Sequence, residues 1–385
     1  MEIKLKNTPE QVELIKKLGS NNLVEAHAAM TALAESLAPV VQKVLNQGAT
    51  TAEIFEDAPF AEDSYPSIPL DLYYNTDAGF VSTWSQGAAG GVPTSLIDTP
   101  VLELIPHTYR LDSAISFMKK HVKAGRLDIV SAGINRMTQE ILVKQERNRW
   151  AVLLKALAEA NALNGRSVAA GTSGAIQHVM RSSSDSSLLI KDLNDLGVRQ
   201  ARIHSSFANG TPDMGQSKGI TDLYMSPEVM ASIKAFAFEP FRSDSTATIS
   251  TVNNLPASAR EELFRGGGVV SFFGMKLHQM QEFGLSKKYN TLFDTFAGSV
   301  EYLKIGGAGG SQFTGSSDEI IVGIDLSASP KGCVRPVKTD AGGGQVVLLP
   351  DDQFVARSEK TGMYGYVEEG AVVVNARTLA GIMLG

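Results

Sequence analysis

Six histidines, at positions 27, 107, 121, 178, 204 and 278, are the side chains best suited to bind a transition metal or pass a proton near neutral pH. They are scattered singly. No two stand three or four residues apart, so no helix face carries a metal clamp, and each is read as a surface or satisfied core histidine, with a cluster formed by tertiary contact left open. Carboxylates could hold a hard cation, and Glu53, Glu56, Asp57, Glu62 and Asp63 gather in the segment 51–76. That segment is broken by Pro59, Pro66 and Pro69 and contains no histidine, so a solvated acidic stretch is the better reading and no metal is expected. A nucleophile could sit in Gly171-Thr172-Ser173-Gly174-Ala175, but the second glycine of a nucleophile elbow is out of place, which leaves a turn. Asp351-Asp352 follows Pro350 and is a turn signature before it is a catalytic dyad. Asn209-Gly210-Thr211 is a formal glycosylation acceptor that reads as a turn, and Ser182–Ser187 is a polar loop. The single cysteine, Cys333, lies between Gly332 and Val334 in an expected strand and is taken as a small buried hydrophobe. The glycine runs at 87–91, 266–268 and 306–310 match neither a phosphate loop nor a dinucleotide fingerprint. No catalytic residue, cofactor ligand or metal ligand is therefore assigned, and no cofactor is expected.

The elements around these residues say more. No proline occurs between Pro106 and Pro212, and within that span residues 127–162 carry a long helical pattern. Val130, Ile134, Met137 and Ile141, then Trp150, Leu153, Leu154 and Leu157, recur at helical spacing, while Arg136, Lys144, Glu146, Arg147 and Lys155 occupy the other faces. At 1.5 Å per residue the helix would run roughly 50 Å, a spine joining distant parts of one fold. Upstream, Thr8-Pro9-Glu10 opens a helix that ends at Gly19, and an alanine-rich helix spans 23–45. Little in these fifty residues could close a core alone, so they are expected to form an arm.

Between arm and spine, residues 77–104 place Phe80, Val81 and Trp84 before Gly87, Gly90, Gly91 and Pro93, which suggests two strand-like arms around a glycine tip. Trp84 has no local neighbours to bury it. It packs back on its own subunit or inserts into another one, and Trp84, Gly87, Gly90 and Gly91 are the candidate intersubunit contacts. A strand at 101–105 and a short helix at 111–122 are expected next. Beyond Gly165, short strands and helices alternate: Ser226-Pro227-Glu228 starts a helix buried through Val229, Ile233 and Phe236, a second helix covers 256–265, and strands follow at 269–273 and 320–326. Strands at 346–349, 364–367 and 372–374 precede an apolar end, Ile382-Met383-Leu384, which should finish inside a sheet.

At 385 residues the chain suggests two or three folding units, and 43% hydrophobic residues suffice for a real core. A net charge of −6 argues against a dedicated nucleic-acid reader. Lys4, Lys6, Lys16 and Lys17 still form a local basic cluster, for which a solvated helix face is preferred over a phosphate contact. One cysteine permits no intrachain disulfide and suits a reducing compartment. No signal-peptide core and no run of eighteen apolar residues is present, so a soluble chain made in the cytoplasm, with no membrane partner, is expected.

The stretches RLDSAISFMKKHVKAGRLDIV, INRMTQEILVKQERNRWAVLLKAL, DLYMSPEVMASIKAF and GMYGYVEEGAVVVNARTLAGIML, taken in this order, resemble the major capsid protein of tailed bacteriophages (Caudoviricetes), the Hong Kong 97-type fold. The resemblance covers most of the chain from about residue 70 and rests on order and texture, since the family has no short diagnostic motif. It implies an α+β fold with an N-terminal arm (1–76, helical then extended), an extended loop (77–104), a peripheral domain (100–162 with 341–385) holding the spine helix (126–162), and an axial domain (163–340). It further implies a non-enzymatic subunit that self-assembles into hexamers and pentamers around double-stranded DNA, made in the bacterial host and located in the virion capsid. Scaffolding, portal and possibly decoration proteins would be partners. Because the chain opens on Met1, a separate scaffolding protein is expected, unless the helices at 9–45 take that part. Some relatives crosslink subunits through a lysine and an asparagine; the 77–104 loop has no lysine, so no crosslink from a lysine there is expected. Mild negative charge fits a shell in which packaged DNA must slide, and a basic strip would mark the DNA-facing side. Three other readings stand beside this one: an encapsulin-like compartment, which shares the fold but encloses cargo enzymes; a soluble α/β enzyme, which lacks a motif; and a tail or decoration protein, which the long helix disfavours.

Overall fold

The computed structural model describes residues 9–20, 22–61, 63–69, 103–163, 178–182, 188–208, 219–236, 261, 271–298, 304–305, 311–327, 331–340, 344–351 and 360–385. The principal helices are α1 (Pro9–Leu18), α2 (Leu23–Gly48), α3 (Lys119–Lys123), α4 (Leu127–Leu163), α5 (Ile190–Ala208), α6 (Pro227–Ala235) and α7 (Lys288–Ala297). The principal strands are β1 (Glu56–Ala61), β2 (Tyr109–Met118), β3 (Val179–Arg181), β4 (Asp222–Met225), β5 (Ser271–Phe272), β6 (Met275–Gln279), β7 (Glu319–Ile324), β8 (Cys333–Thr339), β9 (Val346–Asp351), β10 (Lys360–Glu369) and β11 (Leu379–Leu384). The fold is mixed α and β and divides into two interleaved units. Unit 1 comprises Met1–Ile68, Glu103–Arg149 and Cys333–Val372; unit 2 comprises Pro69–Leu102, Trp150–Gly332 and Val373–Gly385.

Unit 1 is organised on β10. It pairs antiparallel with β2 along its whole length, from Lys360 opposite Met118 to Glu369 opposite Tyr109, and with β9 on the other side, from Val346 opposite Val367 to Asp351 opposite Gly362. Next to Glu369, β10 meets β8 at Val337, and β8 carries β1 in parallel. The expected helix at 111–122 is therefore corrected. Leu111 and Ile115 are four apart, which suits a helix, but Leu111, Ser113, Ile115 and Phe117 also alternate with exposed Arg110, Asp112, Ala114 and Ser116. A period of two over ten residues facing a ten-residue partner decides for a strand, and only Lys119–Lys123 is helical.

The same core corrects the arm. Ile15 and Leu18 of α1 and Met30, Leu33, Leu37, Val41 and Leu45 of α2 are buried with Val130, Ile134, Met137 and Ile141 of α4 and with Val346, Leu348, Met363 and Val367 of the sheet. Residues 9–48 thus cover the unit's core and do not project from it. Asn22 caps α2, its side chain accepting from the Val24 amide at 3.2 Å. Gly133 lets the Phe117 ring lie against the α4 backbone: a Cβ there would stand 2.6 Å from that ring.

Unit 2 holds a six-stranded sheet in the order β3-β11-β7-β4-β6-β5. β7 and β11 are buried at every position and pair antiparallel from Glu319 opposite Leu384 to Ile324 opposite Leu379. Such runs with no polar alternation are what a strand covered on both faces requires. Leu193 and Leu196 of α5 and Val229, Met230 and Ile233 of α6 pack with this sheet. Ser226 caps α6 as expected, accepting from the Val229 amide at 3.1 Å. The chain end lies inside the sheet, as its apolar character suggested. It lies in unit 2, however, so the 341–385 segment does not stay together: β10 serves unit 1 and β11 serves unit 2. The helix expected at 126–162 runs over 37 residues as α4, with Arg149 in unit 1 and Trp150 in unit 2. All eight apolar residues singled out along it are at most 3% exposed. The helices α5 and α7 and the strands β3, β4 and β6 went unforeseen, and the acidic stretch read as irregular holds the strand β1.

Candidate functional site

Trp84, Gly87, Gly90 and Gly91 lie outside the described residues, as do the turn at 171–175, the helix expected at 256–265 save for Glu261, which is helical, the glycine runs at 266–268 and 306–310, and Asn209. Ser67 donates a hydrogen bond to the Glu103 carboxylate, so the chain leaves unit 1 and returns to it at one place.

The sites that chemistry might use are occupied by structure. Among the described residues no three of His, Cys, Asp and Glu gather as a metal would need. Cys333 is buried, as expected of a small hydrophobe. The Nδ1 of buried His178 sits 2.9 Å from the Leu379 carbonyl, tying β11 to the start of β3. Ser182 donates to Asp192 at 3.1 Å, at the head of α5. His278 does meet a carboxylate, with Nε2 2.7 Å from Asp222 Oδ1 and its ring stacked 4.6 Å from that of Tyr224. The neighbouring Thr221 hydroxyl is not a poised nucleophile. It lies 2.6 Å from Asp222 Oδ2 and 3.3 Å from the Ile324 carbonyl, and it accepts from the Leu326 amide at 2.9 Å. Its one O–H is thus shared between two acceptors, and the set bolts the start of β4 to β7.

The strongest electrostatic feature lies in unit 1, and sequence reading missed it. Glu369, fully buried at the end of β10, accepts from Arg149 Nη2 at 2.9 Å, Arg335 Nε at 2.7 Å and Gln145 Nε2 at 3.1 Å, all at Oε2. Arg335 extends the network through Nη1 to Asp57 at 3.1 Å and Asn46 at 3.3 Å. Arg149 reaches the Thr51 hydroxyl at 3.4 Å, and Thr51 donates its backbone amide to Glu146 at 3.1 Å. Gln145 Oε1 and Arg149 Nε are left unpaired within it. Burial, and then the Glu369 charge, push the Tyr109 phenol up to about 12. The arrangement joins α4, β8, β10 and the loop after α2 through one carboxylate. It fixes geometry and presents no reacting group to solvent.

A second polar group faces outward. The Arg110 guanidinium lies 3.7 Å from the centre of the Tyr366 ring, bonds Asp112 at 2.6 Å and reaches the Tyr364 hydroxyl. Arginine and tyrosine together on an open sheet face are the composition that protein contacts favour. No helix among the described residues is long and apolar enough to cross a membrane.

No protein-family profile and no curated protein matches the chain. Among solved structures it is similar to the capsid of the cyanophage P-SCSP1u, at 12% identity and a TM-score of 0.44, over 86% of this chain and 86% of that one. It is similar to the mature capsid asymmetric unit of bacteriophage PhiM1, at 8% identity and a TM-score of 0.46, over 87% and 86%. It is also similar to the holo-SrpI encapsulin complex from Synechococcus elongatus, at 12% identity and a TM-score of 0.42, over 86% and 84%.

Proposed function

We propose that this chain is the structural subunit of an icosahedral shell of the tailed-phage major capsid type, assembling into hexamers and pentamers around double-stranded DNA. One observation carries the reading: a loop with a closed base, a 37-residue helix on a sheet built around one long strand, and a second unit whose sheet is completed by the C-terminal strand, in that chain order. A shell tile needs rigid geometry and broad contacts more than it needs a reacting centre, and the buried network around Glu369 supplies rigidity. In this reading unit 1 is the peripheral domain, unit 2 the axial domain, and 77–104 the loop that overlaps a neighbour. No catalytic step is proposed. Scaffolding and portal proteins are the partners a shell of this kind requires, decoration proteins would bind its outer face, and the virion is its location.

Negative-stain microscopy and light scattering on the purified protein test the proposal. Closed shells, tubes, or rings of five or six are expected, alone or with candidate scaffolding protein added. A monodisperse monomer or dimer under both conditions would overturn it. Shells that hold a cargo enzyme and no DNA would favour the encapsulin-like compartment. Trp84→Ala is expected to impair assembly while leaving the thermal unfolding of the unassembled chain within about 1 kcal/mol, the range for a surface substitution. Equal loss of assembly and of stability would place Trp84 in its own subunit's core.

A further inference from the structure

We propose that the corner of unit 1 where α1 meets α3 is a binding surface for the phosphate backbone of duplex DNA. Six cations converge there: Lys16 and Lys17 at the end of α1, Lys119, Lys120 and Lys123 of α3, and Arg126 just beyond. The two helices touch. The Lys123 backbone nitrogen stands 3.0 Å from where a Cβ on Gly19 would lie, and Lys16 Cε 3.6 Å from one on Gly125. Lys16, Lys17, Lys120, Lys123 and Arg126 are exposed.

The described acids neutralise only part of this charge. Glu13 takes Lys17 at 3.1 Å and Asp128 takes Arg126 at 2.8 Å, both as exposed pairs that exchange readily for a phosphate. Lys16, Lys119 and Lys120 make no ion pair among the described residues. The whole chain carries −6, so a positive corner runs against its balance. Helix ends explain only part of it. Lys16 and Lys17 gain from the carbonyl end of α1, and Lys120 and Lys123 from that of α3, but Lys119 opens α3, where a cation gains nothing from the backbone.

The chemistry selects the partner. Lysines are point charges without a planar fork, so a row of phosphates fits them better than one phosphorylated group. Val122 is buried and, among the described residues, α1 and α3 carry no exposed aromatic anchor, whereas protein interfaces are depleted in lysine and built on apolar anchors. The surface rests on the shell reading only for its biological setting.

The test uses the full-length chain and a labelled duplex of mixed sequence, with anisotropy followed across a salt series. Each phosphate contact contributes a slope of about −0.9 in log K against log salt. The triple variant Lys119→Gln/Lys120→Gln/Lys123→Gln should bind on the order of tenfold or more weakly at low salt, with a slope shallower by roughly 2.7 units. The corresponding triple change to Arg should bind like the original, and circular dichroism should be unchanged in both. Lys144→Gln/Lys155→Gln/Lys191→Gln, on exposed lysines elsewhere, should change little. Absence of DNA binding by the original chain, an unaltered slope, or an equal loss in the control would overturn the proposal. Polyglutamate competing as well as DNA would overturn it in favour of an acidic protein partner. Scattering on the same samples separates the two ideas: DNA binding by a chain that forms no shell retains this surface and defeats the shell.

Discussion

Glu369→Gln should destabilise unit 1 by about 3–5 kcal/mol, the usual cost of leaving a buried charge without its partner. Two guanidiniums at 2.9 and 2.7 Å share one oxygen of this carboxylate, and both arginines are at most 4% exposed. Glutamine keeps the shape but turns one acceptor into a donor facing cations. Because a two-unit chain need not unfold in one step, the readout should be local: hydrogen exchange of α4 amides near Gln145 and of β10. Replacing Glu369, Arg149 and Arg335 together by apolar residues should cost less than Glu369→Gln alone, since no charge is then stranded. Arg136→Ala, which breaks an exposed pair with Glu140 at 2.9 Å, should cost under about 1 kcal/mol. A Glu369→Gln loss no larger than that control would show that water reaches the network.

Tyr109 offers a second readout. Its phenol is held up to about 12, with Glu369 the second cause after burial, so Glu369→Gln should lower it. The sign for stability follows. The unfolded tyrosine ionises near its ordinary value of 10.0, before the folded one, so this contribution is complete below that pH and is lost as pH rises towards about 12.

Deleting residues 379–385 should abolish folding of unit 2. Leu379, Ala380, Ile382, Met383 and Leu384 are each at most 8% exposed, and β11 separates β3 from β7. The four large side chains contribute roughly 1.5–3 kcal/mol each, together comparable to the 5–15 kcal/mol that holds a typical domain folded. β7 would also lose ladder partners from Glu319 to Ile324. The expected result is an insoluble or protease-sensitive product. Near-ultraviolet circular dichroism gives a check, because Trp150 packs edge-on against Tyr224 and Phe283 at 5.2 Å in the same unit. A soluble truncated chain with that signal intact would sink the prediction.

What could be read beforehand follows from how local each signal is. The apolar face of α4 and the buried end at Leu379–Leu384 are written in neighbouring residues, and both were legible. The strand β2 was misassigned because Leu111 and Ile115 satisfy two periods at once, and only its partner 250 residues away separates them. The Glu369 network was invisible for the same reason: Arg149 lies 220 residues from Glu369 and sits on a helix where charges such as Arg136, Glu140 and Lys155 face water. Nothing in composition distinguishes one arginine from the next. The helices at 9–48 looked self-insufficient, which was correct, but their insufficiency signalled a distant partner and not a projecting arm.

That distance has a consequence for how the protein is made. The apolar face of α2 emerges early from the ribosome, while β9 and β10, which cover it, are encoded some 300 residues later. At synthesis rates of about 5–20 residues per second, the helix waits on the order of 15–60 s for its lid. Until β9 and β10 emerge, unit 1 cannot close, and that face stays open. Translation interrupted before β10 yields a fragment with an open hydrophobic face, a ready substrate for proteolysis.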